Sequence, residues 1–381
     1  MRTPTLLTYE EAKSIVDING DLIFYESIFI VSGYKVSIFN YRLAQFNNFI
    51  SPIVGSSINA LEMRGLTFVF NHDGSLFKRY LMLSKFFNLN QVPDSLYDVV
   101  HSYEISNVMN KEDGSLISFI QLPNGEIVSR TKMSFDSDQA IEAYEIYKSD
   151  VHIRKLIKWS FINDVCLYFE YVSHKNRIVL SYTDTNLILL RARCNKTGKS
   201  IDIRTIECDE EVKRCEFEIF SSLDDIIELS NTTKDKEGWV VEFTNGYVIK
   251  IKTKWYFDIH HLNFDVVSRE NDIIRLILNE EIDDVLSQLS ENDIEKREFI
   301  QFITNIVNHR FEELLHGVDE RIKKFDGDVK SFVNYLKDDK EYFYYCMEIV
   351  NGKDKYQVIK ERLIKETAHL RKAQEWIQKY K

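Results

Sequence analysis

From Asp21 to Lys254 the chain is written mainly in short apolar or alternating runs: DLIFYESIFIV, YKVSIFNY, LEMRGLTFVF, SLISFIQL, EIVSRTK, VCLYFEYV, NRIVLSY, LILLRAR, GWVVEF and GYVIKIK. Runs of this length, rich in β-branched and aromatic residues, predict strands. Two pairs are joined by Asn124-Gly125 and Asn245-Gly246, which predict tight antiparallel hairpins because both turn positions favour positive φ. Residues 137–161, SDQAIEAYEIYKSDVHIRKLIKWSF, space their apolar positions at helical intervals behind a Ser/Asp cap, so one or two helices interrupt the strands. This first part is expected to be α+β, with mainly antiparallel sheet.

From about residue 262 the period lengthens. NDIIRLILNEEIDDVLSQL, EKREFIQFITNIVNHRFEELL and YQVIKERLIKETAHLRKAQEWIQKY read as amphipathic helices. Chain breakers follow the same division, with all four prolines in the first 123 residues and only Gly317, Gly327 and Gly352 beyond residue 260. The expectation is a sheet-rich domain over 1–260 followed by an all-helical C-terminal domain over 261–381.

At 381 residues, 44% hydrophobic and 29% charged, the chain has the composition of a folded protein of two or three domains. Its formal net charge of -11 means that any site for a polyanion must be a local positive feature in an acidic body. The C-terminal stretch 353–381 runs the other way, with nine Lys and Arg against four Asp and Glu, and could be a solvated helix face or a surface that touches RNA phosphates. Five cysteines without a CxxC pair read as reduced thiols rather than a disulfide or zinc framework. The N-terminus lacks a long apolar segment and no run of about 18 uncharged apolar residues occurs, so a cytoplasmic protein without membrane association is expected.

Candidate chemistry begins at MNKEDGSLISF, residues 109–119. Asp113-Gly114 between two apolar runs predicts a hairpin turn, beside which Lys111 would be an ordinary solvated lysine. Lys-x-Asp-Gly alone turns up by chance in about one chain in ten of this size. Its company narrows the reading. Glu170 interrupts the apolar strand CLYFEYV, where an unpaired carboxylate would be costly. Glu237-Gly238 precedes a strand whose hairpin return carries Lys250 and Lys252. Period two sends both ammonium groups to one face and Ile249 and Ile251 to the other, and two like charges side by side favour an anion between them.

Lys-x-Asp-Gly, a strand bearing Glu, Glu-Gly and Lys-x-Lys, in that order over about 140 residues, resembles the signature of covalent nucleotidyltransferases. With LEMRGLTF, SKFFNLN, NRIVLSY and KIKTKWY, residues 36–260 look like the RNA ligase 1 family of T-even-type bacteriophages. The resemblance implies an ATP-grasp-like, mainly antiparallel nucleotidyltransferase domain and an RNA-specificity domain after it. It implies an ATP-dependent ligase that forms lysyl-AMP, passes AMP to an RNA 5′-phosphate and lets an RNA 3′-hydroxyl displace it, with Mg2+ or Mn2+ as cofactor. Lys111 would be the nucleophile, presented by Asp113 and Gly114. Lys250 and Lys252 would contact the reacting phosphate; Glu170 would engage the ribose; Glu237, with Gly238, would support nucleotide and metal. Arg64, Lys85 and Lys132 align with triphosphate-handling residues, Tyr41 and Phe87 with further ATP contacts, Tyr256 with the end of the last motif, and Asp283 and Asp284 with an acidic pair near a metal. Because Lys111 must lose a proton to attack, Lys250, Lys252 and a metal ion are expected to favour its neutral form. The implied partners are single-stranded RNA ends, a tRNA anticodon loop among them, in a bacterial host cytoplasm if the chain is phage-encoded, with no obligate protein partner. Two alternatives remain open: a DNA ligase or capping-type enzyme, for which the helical tail offers no OB-fold pattern, and a non-catalytic RNA-binding protein with a relict pocket.

Overall fold

The computed structural model describes residues 3–176, 180, 182–259, 269–289 and 293–381. Most of the NRIVLSY run therefore lies outside the described residues. By internal packing the chain divides into Met1–His261 and Leu262–Lys381.

The first unit is α+β. It opens with helix Tyr9–Ile23, whose Thr8 hydroxyl accepts from the Glu11 amide at 3.2 Å while the Glu11 carboxylate accepts from the Thr8 amide at 2.8 Å, a reciprocal cap. The first apolar run therefore splits: its opening residues end this helix, and the strand starts at Phe24. Strands Phe24–Val31, Tyr34–Tyr41, Leu66–Phe70 and Leu76–Tyr80 form an antiparallel meander. A second sheet orders Ser200–Ile201, Asn186–Cys194, Val165–Val172, Ser115–Gln121 and Ile127–Arg130. A third orders Phe217–Glu218, Ile105–Asn110, Gly238–Phe243, Val248–Lys252 and Phe87–Asn88, the last pair alone being parallel.

Both Asn-Gly hairpins form, although positive φ is taken by the glycines and not by Asn124 or Asn245. Gly125 and Gly246 take φ of 86° and 82°, and Asn124 and Asn245 each accept from the amide two residues on. Helices Asp138–Ser149 and Val151–Ile162, capped by Ser137 and Asp150, bury Ala143, Ile153, Leu156 and Ile157 against the second sheet. Helix Leu223–Thr232 closes the core of the third, where Ile226 packs with Trp239, Val241, Ile249 and Ile251.

One expectation is overturned. Asp113-Gly114 is no hairpin turn, because Ile105–Asn110 and Ser115–Gln121 belong to different sheets. Residues 111–114 carry the chain from the third sheet to the second. Gly114 is required for a reason unrelated to φ: a Cβ there would lie 2.4 Å from the Tyr171 carbonyl oxygen and 3.0 Å from Glu170 Cγ. The crossover rides directly on strand Val165–Val172.

The second unit is helical, with Glu270–Leu278, Ile282–Leu286, Ile294–Ile322, Val329–Leu336, Phe343–Val350, Lys355–Glu366 and Leu370–Tyr380. The last predicted segment is broken at Thr367–His369 rather than continuous. The long helix presents Ile303, Val307, Phe311, Leu314 and Val318 to the core. At Gly317 even a methyl would strike the Tyr342 ring, 2.2 Å away.

Candidate active site

The crossover places Lys111 between two sheets, and neighbouring bonds fix it there. Its amide donates to the Gly238 carbonyl at 3.0 Å, extending the ladder of the third sheet by one bond. Asp113 ties down the rest: its carboxylate accepts from the Tyr256 hydroxyl at 3.1 Å and the Leu180 amide at 2.8 Å. The Asp113 amide donates to the Tyr182 hydroxyl, which itself donates to Glu112, both at 3.0 Å. Tyr256 and Asp113 are thus supports for the loop, and Tyr182 is a support that the sequence reading did not single out.

The Lys111 ammonium lies 2.7 Å from Oε2 of Glu237, whose Oε1 lies 3.3 Å from Lys252 Nζ. One nearly buried carboxylate is shared between two cations. This differs from the expectation that cations would crowd the nucleophile, and the cause is local. Gly238 pairs directly across from Lys252 and its carbonyl holds Lys111, so Glu237, one residue earlier, falls between both side chains. Period two works on the return strand as expected: Ile249 and Ile251 are buried in the core while Lys250 and Lys252 stay half-buried on the other face. Lys252 lies 4.8 Å above the Tyr256 ring and Lys250 5.6 Å from the Phe86 ring.

Beside Lys111 opens a cavity of about 320 Å³. All three sheets or their connections contribute to it. Leu83, Phe86, Met109, Leu116, Leu190 and Val240 give it apolar walls. Arg64, Lys85, Lys111, Arg191 and Lys250 line it with positive charge, against the two carboxylates Glu112 and Glu170. In a chain of net charge -11 this is the local positive feature that a polyanion requires. An apolar body with a few convergent polar groups is also the usual form of a small-molecule site.

At one end the cations gather on aromatic rings. Lys85 Nζ lies 5.4 Å from the Tyr41 ring centre and Lys132 Nζ 5.1 Å from the same ring, so one phenol supports two ammonium groups. Arg64 stands in the turn before strand Leu66–Phe70 rather than within it, and donates to the Leu83 carbonyl at 3.2 Å. Phe87 does not line the cavity: it is 5% exposed and packs on Phe46 and Phe49, with Lys85 5.4 Å from its ring. Phe86 takes the cavity wall instead, because adjacent residues of an extended segment point to opposite sides. Asp283 and Asp284 occupy the first turn of Ile282–Leu286 in the second unit, where acids complement the positive end of a helix. Arg191, Glu112, Asn110 and Cys215 also line the cavity. The sequence reading did not single them out, since Asn110 and Arg191 come from strands of two different sheets while Glu112 and Cys215 come from connecting segments.

Glu170 sits in the middle of a fully buried strand. Burial above all, with help from the charges of Glu237 and Glu112, pushes its carboxyl up to about 8, against the opposing pull of Lys111 and the Gly114 backbone. The folded chain therefore keeps a proton there at neutral pH that the unfolded chain releases near the usual value of 4.5. The favourable contribution is fully present below about 4.5 and is lost as pH rises through 8, with a slope of up to about 1.4 kcal/mol per pH unit. Glu170→Gln, neutral throughout, should flatten this. Urea unfolding of both proteins at pH 5, 6.5 and 8 is expected to show wild type losing ground to the variant as pH rises. Parallel pH dependences would show that Glu170 is ionised in the fold.

A lysine held between two sheets stands beside a cavity that has apolar walls and a cationic end, a form that suits a small molecule with apolar and anionic parts. Comparison with known proteins gives the family. The RNA ligase family model matches residues 62–262, more than half of the chain, and the protein belongs to the RNA ligase family. A protein of Thermovibrio ammonificans named "Putative RNA ligase" is 22% identical over 282 residues, 71% of this chain and 70% of its own length. Among solved structures, an archaeal ATP-dependent RNA ligase superposes with a TM-score of 0.48 at 12% identity, over 96% of each chain. A Naegleria gruberi RNA ligase with pyrophosphate superposes at 0.35 and 12% identity, over 63% of this chain and 77% of its own.

Proposed function

We propose that this RNA ligase uses ATP to join RNA 5′-phosphate and 3′-hydroxyl ends through lysyl-AMP and RNA-adenylate intermediates, with Lys111 as nucleophile. The observation that carries the reading is the Lys111 amine held 2.7 Å from Glu237 at the edge of the cation-lined cavity. Among the described residues Glu237 is the carboxylate paired with that amine, so it orients Nζ at the cavity edge, and the proton that Nζ must lose before attack passes to solvent. Loss of the proton frees the nitrogen pair for attack on the α-phosphorus, and pyrophosphate leaves in line with it.

On this proposal the remaining residues have the following roles. Lys250 and Lys252, on one strand face beside Lys111, neutralise the α-phosphate oxygens as charge develops. Arg64, Lys85 and Lys132 gather at the Tyr41 end for the β- and γ-phosphates. The apolar walls, Phe86 among them, take the adenine, and Glu170 in the depth hydrogen-bonds the ribose. The donor set fits a divalent cation of the Mg2+ kind, which is commonly held by one or two protein carboxylates plus substrate phosphates. Glu237 would be the carboxylate that holds it beside Lys111, and the ion would supply neutralisation of phosphate charge. Asp283 and Asp284 are proposed as further metal-side carboxylates on the sequence resemblance alone. The helical unit is proposed as the RNA-specificity domain, and repair of tRNA cleaved in its anticodon loop during phage infection as the cellular task.

The test is to incubate the protein with α-labelled ATP and Mg2+, then chase with 5′-phosphorylated single-stranded RNA. Label should attach to protein, be released by acid, and be lost to RNA as circles appear. Protein that acquires no label sinks the proposal, and a preference for nicked duplex DNA would reassign the polymer.

A further inference from the structure

Arg130 ends strand Ile127–Arg130, pairs across from Ser118, and is fully buried. Among the described residues its Nε and Nη2 have no hydrogen-bond partner, and the one bond it makes there is long, 3.5 Å from Nη1 to the Thr131 carbonyl. Among the described residues no carboxylate pairs with it. Glu62 is taken by Arg193, whose Nη1 and Nη2 lie 3.1 and 2.5 Å from its two oxygens. The groups that face Arg130 most strongly are Cys166 and Tyr168. Burial pushes the Cys166 thiol up to about 11 and the Tyr168 hydroxyl well above its usual value, so neither carries a counter-charge at neutral pH. Arg130 itself is pushed down only to about 10 and remains a cation.

A lone buried charge is expensive, and this one is placed behind the phosphate end of the cavity. Nη1 lies 3.3 Å from where a Cβ of Gly65 would stand, and the Lys132 carbonyl lies 3.0 Å from the same point. Gly65 adopts φ of 81° and has no side chain, which lets the guanidinium close on the turn that carries Arg64. Lys132 stands two residues beyond Arg130, in the bend that follows the strand.

We propose that Arg130 is a positioning residue whose unneutralised charge serves the triphosphate: it costs the empty protein stability and is compensated when a polyphosphate settles on Arg64, Lys85 and Lys132. The proposal rests on the reading of those three residues as a triphosphate site. A buried charge is screened by salt far less than a surface one, so its influence should persist where that of surface lysines fades.

The probe is inorganic triphosphate, titrated calorimetrically into wild type, Arg130→Met and Arg130→Lys at 0.05 and 0.3 M salt, with thermal unfolding of each empty protein. Expected for Arg130→Met are a roughly tenfold weaker affinity, a deficit that survives at 0.3 M salt, and an unfolding midpoint no lower than wild type. Arg130→Lys should recover most of the affinity. Unchanged affinity in Arg130→Met overturns the proposal, as does a lowered midpoint, which would make Arg130 a structural strut. Because the probe contains no nucleoside and needs no chemistry, wild type that binds triphosphate yet never forms lysyl-AMP would sink the ligase mechanism and leave this inference standing.

Discussion

Lys111→Ala is expected to abolish attachment of label from α-labelled ATP, by at least about 10⁴-fold, because no other amine can replace a covalent nucleophile. The fold should survive. The Lys111 side chain is 23% exposed, and Glu237, once deprived of it, still faces Lys252 at 3.3 Å, so no buried carboxylate is left alone. Sealing of RNA that already carries AMP on its 5′-phosphate should continue at a substantial rate, since the amine has no part to play once AMP is on the polymer while Lys250 and Lys252 remain. Gel autoradiography of the protein and a sealing assay on pre-adenylylated RNA separate the two halves of the reaction. Equal labelling of wild type and variant would remove Lys111 from the mechanism.

Gly238→Ala should be the most damaging single methyl in the site. A Cβ there would lie 2.0 Å from the Ile251 carbonyl oxygen and 2.7 Å from Lys252 Cα, atoms of the paired strand that cannot rotate away. The backbone also holds φ of 153°, a conformation that side chains rarely adopt. Overpacking and backbone strain together should cost about 3–5 kcal/mol of stability. Because the Gly238 carbonyl receives the Lys111 amide, the displacement should also move Lys111 off the line that the proposed attack requires and lower the labelling rate by about 10²-fold. Denaturant midpoints and initial labelling rates measure both. An alanine variant as stable as wild type would mean that the strands can part here without harm.

Much of this site could be read before the fold was known, and the reasons differ from residue to residue. Lys250 and Lys252 were legible because strand period alone decides which face they share. Glu170 was legible because a carboxylate in the apolar run VCLYFEYV stands out against its neighbours. Helix Tyr9–Ile23 was not read, because the apolar residues after Asp21 were assigned whole to a strand and the Thr8 and Glu11 cap before them went unused. Asp113-Gly114 was misread because a glycine needed for positive φ and a glycine needed for close approach look the same in sequence. Phe86 and Phe87 could not be ranked, since choosing between adjacent aromatics requires knowing which side of Phe87–Asn88 faces the core. Arg191, Glu112 and Cys215 were invisible because a cavity made by three sheets and their connections brings together residues that no spacing rule connects.

Residues 111–114, which carry Lys111, form a strap between two sheets. A hairpin tip can gain a residue or sway without disturbing the strands behind it; a strap cannot. Any slip of one sheet against the other would be transmitted undiminished to the Lys111 nitrogen, whereas slack at Asn124-Gly125 would be absorbed locally. The Lys111 nitrogen is therefore placed by the relative position of two whole sheets, which gives it the stiffness of the domain rather than of a loop.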